Sequence, residues 1–193
     1  MKYLKYGFVA MMVSLLLALP WMASRAIAKV PADPRLADLL ITNDSENVLL
    51  YARLVNGFRA ETVSAILAGV PAVFTLHLDV YRERSVIWDK SVIHREIRRS
   101  IKYDNLKKTF TIKTNGDADV VTLSDFESAK KAMADFSGIR VAPIASLIKG
   151  ENYYAEVKVK IDKVQLPFYM EYVFFFVSYW DIETPLYKQR FSY

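Results

Sequence analysis

Strict alternation is the feature that most limits what this chain can become. Between residues 73 and 83, Phe74, Leu76, Leu78 and Val80 occupy one parity, while Thr75, His77, Asp79 and Tyr81 occupy the other. Successive side chains of a strand point to opposite faces, so this pattern predicts a strand with one buried and one wet face. Residues 153–162 repeat it. Tyr153, Ala155, Val157, Val159 and Ile161 oppose Glu156, Lys158, Lys160 and Asp162, and residues 48–54 follow the same period.

Three more segments extend the β reading. Residues 108–113 end at Asn115-Gly116, a dipeptide suited to the positive φ angles of a tight turn. Residues 173–177 are continuously apolar, as in a strand covered on both sides. Residues 186–193 form a short terminal strand. The stretch 86–103 admits two readings. Ile93, Ile97 and Ile101 would align on a helix, whereas on a strand face Arg95 and Arg99 interrupt them. A long twisted strand with a partly covered face is preferred.

Two helices stand out. One spans residues 59–68, with Val63, Ile66, Leu67 and Val70 as its apolar stripe and Gly69 as its left-handed cap. The other opens on Ser124-Asp125-Phe126-Glu127, which has capping-box spacing with Ser124 as cap. Its stripe is Phe126, Ala129, Met133 and Phe136, and Gly138 stops it. Strands joined mainly by turns make parallel βαβ units improbable on topology. The expected fold is mainly β: an antiparallel β-sandwich with two helical insertions.

The amino end reads differently. Lys2 and Lys5 precede an almost unbroken apolar run from Gly7 to Leu19, ended by Pro20, and small residues gather before Ala26-Ile27-Ala28. That is the three-part form of a signal peptide over residues 1–28. The run is shorter than the roughly 20 apolar residues of a spanning helix. An uncleaved membrane anchor is the competing reading. Residues 29–35, with Pro31 and Pro34, read as a tether, and residues 36–193 as a single domain.

Residues 1–28 carry three basic residues and no acid, so the net charge of +5 falls to +2 without them. A nearly neutral, mixed-sign domain is not expected to bind nucleic acid. No cysteine is present, so neither disulfides nor thiol catalysis is available. The localisation expected is periplasmic or otherwise extracytoplasmic.

Catalytic signatures are sparse. His77 and His94 are the only histidines, and no G-x-S-x-G elbow, phosphate loop or H-E-x-x-H motif occurs. If residue 83 pairs with 88, residue 77 pairs with 94, and His77, Asp79, His94 and Glu96 share one exposed face. The plain expectation is two half-exposed histidines on a polar sheet, and the sharper alternative is a transition-metal site. Arg82, Arg84, Arg95, Arg98, Arg99 and Lys102 are interspersed with Glu83, Asp89, Glu96 and Asp104, which suits a solvated face with cross-strand pairs. The aromatic residues between Phe168 and Trp180 read as core or, where exposed, as a partner surface.

From about residue 45 onward the chain resembles the bacterial exported proteins grouped as domain-of-unknown-function family 4390. The carrying pieces are Gly69-Val70-Pro71 before Phe74 to Tyr81, Arg82-x-Arg84 with Trp88-Asp89, and Tyr103-Asp104-x-Leu106. Leu166-Pro167 and Trp180-Asp181-x-Glu183-Thr184 complete the order. At Leu186 the pattern leads one to expect an aromatic residue. The resemblance implies an exported protein and brings no activity or catalytic residue with it. Arg82, Arg84 and Asp89 bracket a turn, where salt bridges would fix the chain, and Arg82, Arg84, Trp88, Asp89 and Trp180 are the candidate contact residues.

The function expected is a non-catalytic binding or assembly module for another envelope protein, without a cofactor. Membrane association is expected only through an uncleaved signal segment or a partner. The alternatives are a carrier of a small apolar or anionic ligand inside the sandwich, and a carbohydrate-active or metal-dependent enzyme.

Overall fold

The computed structural model describes residues 32–84, 88–116, 118–162 and 182–193. The signal segment, the apolar run 173–177 and Trp180 lie outside the described residues. The elements are β1 (Arg35–Asn43), β2 (Asn47–Val55), α1 (Ala60–Leu67), β3 (Ala72–Arg82), β4 (Lys90–Asp104), β5 (Thr109–Thr114) and β6 (Asp119–Leu123). They continue as α2 (Phe126–Ala134), β7 (Ile139–Pro143), a 3-10 turn (Ile144–Ser146), β8 (Asn152–Asp162), β9 (Ile182–Glu183) and β10 (Tyr187–Ser192). The domain is mainly β, sandwich-like and antiparallel throughout the described ladders, with two helices. Among the described residues no helix is long and apolar enough to cross a membrane.

The large sheet has the order β10-β8-β3-β4-β5-β6, and the small sheet β1-β2-β7. β3 is central, with Leu76 opposite Ile97 of β4 and Val159 of β8. Its even-numbered side chains, Phe74 to Val80, are fully buried, and the core joins them to Val48, Leu50, Ala52 and Leu54 of β2. β9 and β10 both run along the far edge of β8. Thr184 continues the pairing between them, because its N–H donates to Val159 O (2.9 Å) and its Oγ1 accepts from Val159 N–H (3.0 Å). Pro185, without an N–H, then interrupts the edge.

The arginines that divided the reading of residues 86–103 have a structural use. Residues 90–104 are strand, with Ile93, Ile97 and Ile101 buried. Arg95 Nε reaches from the large sheet to the carbonyl of Val141 in β7 (2.9 Å). Arg99 Nη1 donates to the carbonyls of Ala132 (2.9 Å) and Asp135 at the end of α2, and its guanidinium lies 4.7 Å from the centroid of Phe136. Burial lowers the Arg99 pKa, an effect opposed by Asp135 and Asp119.

Several local expectations are corrected. Asp125, not Ser124, caps α2, its carboxylate accepting from Ser128 N–H at 2.7 Å. Phe136 is buried but lies beyond the helix. On α1 the buried residues are Thr62, Ala65 and Ile66, while Leu67 is exposed. The cap at Gly69 holds: φ is 87°, and Gly69 and Val70 N–H donate back to Ile66 and Ala65 carbonyls. Arg35, assigned to the tether by sequence, is the first residue of β1, a strand that the alternation did not reveal.

Candidate functional site

The outer face of β3 and β4 brings His77, Asp79, His94 and Glu96 together, in a register two residues away from the expected one. His77 stands opposite Glu96 and Asp79 opposite His94, because an irregularity between Val80 and Tyr81 resets the ladder and Arg82 meets Lys90. A shift of two preserves the face, whereas a shift of one would have reversed it. The outcome is two pairs. His77 Nδ1 lies 3.2 Å from Glu96 Oε1, and His94 Nδ1 lies 2.6 Å from Asp79 Oδ1.

β8 extends this array with Lys158 opposite His77 and Glu156 opposite Asp79. The bond to Asp79, reinforced by its charge and by that of Glu96, raises the His94 pKa above its ordinary value. Among the described residues no three His, Asp or Glu side chains converge as metal ligands. The array is a set of cross-strand histidine–carboxylate pairs.

The end of the β3–β4 hairpin is built differently. Asp89 Oδ1 accepts from the backbone N–H of Arg84 and Oδ2 from the hydroxyl of Tyr154, each at 3.0 Å. These bonds, the backbone one foremost, hold the Asp89 carboxyl below its ordinary range. Burial, then Asp89, pushes the Tyr154 phenol up to about 12. The salt bridges expected here are replaced by these contacts. Among the described residues neither the Arg82 nor the Arg84 guanidinium has an ion-pair partner.

Around this turn the large sheet assembles a surface that sequence reasoning only partly named. The Tyr154 ring stacks on Tyr81, with centroids 5.1 Å apart and planes inclined by 20°. Lys188 Nζ of β10 sits 3.3 Å from the centroid of the Tyr154 ring, and Arg190 Nε is 2.9 Å from Glu83 Oε1. Trp88 projects from the turn with 92% of its surface exposed. Tyr81, Tyr154, Lys188 and Arg190 were missed. Tyr154 has the parity of Glu156 and Lys158, a signal that would have put it on the outer face. Trp180 lies outside the described residues.

A second opening, a groove of about 960 Å³, runs between β2 and α2 and is lined by Leu40, Tyr51, Phe58, Lys130, Lys131 and Asp135 among others. The sequence had placed no contact there.

Comparison with protein families decides the classification. The domain of unknown function DUF4390 matches residues 32–190. The chain belongs to this family. No curated protein and no solved structure matches it. The DUF4390 match covers both sheets, the Asp89 turn and the histidine face, so all of these are parts of one family domain.

Proposed function

We propose that this DUF4390 domain is a non-catalytic recognition module that binds another envelope protein through the Asp89 turn. The observation that carries the reading is Trp88, exposed over 92% of its surface on a turn held by Asp89. Tryptophan, tyrosine and arginine dominate the binding energy of protein interfaces, and Trp88, Tyr81, Arg82 and Arg84 supply that chemistry at one end of a rigid sheet.

Residues 1–28 export the chain in this proposal, and the mature protein begins at Lys29 in the periplasm. The test places a photo-crosslinking amino acid at position 88 in living cells, with the exposed Ser64 position as control. A discrete protein adduct from position 88 alone, on a chain whose amino terminus is Lys29, supports the module. Absence of that adduct, or recovery of an intact Met1 chain in the cytoplasm, overturns it.

A second reading, carriage of a small, mainly apolar ligand, is favoured by the groove between β2 and α2, where Leu40, Tyr51 and Phe58 line the opening among charges of both signs. Its site is on the surface and not inside the sandwich. Thermal stabilisation by a long-chain carboxylate, lost in Tyr51→Ala, would favour that reading over the protein module.

A further inference from the structure

The opposite end of β4 carries a feature that partner recognition at Trp88 leaves unused. β4 has fifteen residues, so its two ends lie about 45 Å apart along the strand. At the β4–β5 turn Leu106 is 96% exposed, more than any other large apolar side chain described. The turn is not slack. Asp104 Oδ1 accepts from the N–H groups of Leu106 (2.9 Å) and Lys107 (3.0 Å), and Lys108 takes a φ of 55°.

The surroundings have a consistent chemistry. Lys102, Lys107 and Lys108 are exposed, and among the described residues none of them has an ion-pair partner. Asp104 is the acid at the tip; its carboxylate accepts two backbone bonds and also feels the charges of Lys107 and Lys102, which leaves a net positive charge there. The last turn of α1 packs beside it, so that a Cβ added at Gly69 would lie 3.2 Å from Asn105 Nδ2. Between α1 and the tip is an open pocket of about 680 Å³, lined in part by Gly69, Lys102 and Asn105.

We propose that this tip is a docking surface for a bilayer containing anionic phospholipid, with Leu106 entering the headgroup boundary and Lys102, Lys107 and Lys108 facing the phosphates. Charge complementarity commits the occupant. A protein interface is usually depleted of lysine at its centre, whereas lysines ringing an apolar side chain suit a headgroup layer. The attraction of three lysines and one leucine is modest and reversible, which suits a domain oriented by the membrane rather than anchored in it. The inference does not depend on the Trp88 surface.

The test uses the full chain, whose lack of cysteine makes single-site labelling clean. An environment-sensitive fluorophore is attached in Leu106→Cys and, at the far end of the sheet, in Asn152→Cys. Each is mixed with phosphatidylcholine vesicles with or without about one-third phosphatidylglycerol. A blue shift at position 106 only, dependent on phosphatidylglycerol and abolished by high salt, is the expected result. Adding Lys107→Glu and Lys108→Glu should weaken the response about tenfold or more.

Any binding through residues 1–28 is common to both labelled chains, so it does not mimic this pattern. A water-like signal at 106, an equal response at 152, or an unchanged response to uncharged vesicles would overturn the proposal. So would a shift at 106 that requires added envelope protein and no lipid.

Discussion

Four aspartates, Asp44, Asp89, Asp104 and Asp125, accept bonds from backbone N–H groups in turns or at a helix start. In each case the foremost cause of the lowered pKa is such a bond: from Asn47, Arg84, Lys107 and Ser128 respectively. A carboxyl with a depressed folded pKa stabilises the native state above its unfolded value, about 3.9, and loses that contribution as pH falls through the folded one. Stability should therefore hold above about pH 4 and decline below it, as acid titration monitored by circular dichroism would show. Asp125→Ala should lower Tm by about 3 °C, and Ser124→Ala should leave it nearly unchanged. Equal losses in a pair of thermal melts would restore Ser124 as the cap. His94 carries the opposite sign. Its raised pKa favours the fold below its unfolded value, about 6.5, and that help disappears as pH rises through the folded value. The imidazole proton resonances of His94 should titrate above 6.5 and return toward it in Asp79→Asn. Parity in the sequence revealed which four residues share the face. It could not reveal who pairs with whom, because that depends on the irregularity at Val80 and Tyr81, which has no local signature.

At the scale of elements, β4 shows why a mixed face resisted interpretation. Arg95 and Arg99 share the parity of the buried isoleucines, and each donates to backbone carbonyls, at β7 and at the end of α2. Those acceptors are contributed by segments more than thirty residues away, so no local pattern announces them. Arg99→Ala should destabilise the domain by about 2 kcal/mol, through loss of charge-assisted bonds to α2, and urea unfolding is the measurement. The cap of α1 was legible for the opposite reason: Gly69 closes a motif wholly within its neighbours. Gly69→Ala should cost about 1–2 kcal/mol, because its φ of 87° is strained for a residue with a Cβ. β6 was hidden by its position. Residues 119–122 are exposed on both faces at a sheet edge, so burial imposes no alternation there. β1 was obscured by an irregularity between Ala37 and Leu40, where Asp38 has a φ of 55° and pairs with Arg53 at 2.6 Å.

For the molecule as a whole, the two proposed contact surfaces lie at the ends of the large sheet and the stabilising core lies between its inner face and the small sheet. Trp88→Ala should accordingly leave unfolding free energy within about 0.5 kcal/mol of the parent while removing partner capture, a combination that a structural tryptophan would not give. Paired urea melts and capture assays would distinguish them. The central place of β3 has a further consequence for synthesis. Its first neighbour, β4, follows at once, but its second, β8, is made some eighty residues later, and β10 must then cover the edge of β8. A nascent chain that has finished β7 presents β3 with one ladder open and Phe74, Leu76 and Leu78 without the facing row of Val157, Val159 and Ile161. Such long-range closure is slow and leaves apolar surface bare meanwhile. A chain stopped at Ser146 should therefore aggregate rather than fold. During its production, this protein should stay vulnerable to proteases and to its own copies until β8 and β10 have emerged.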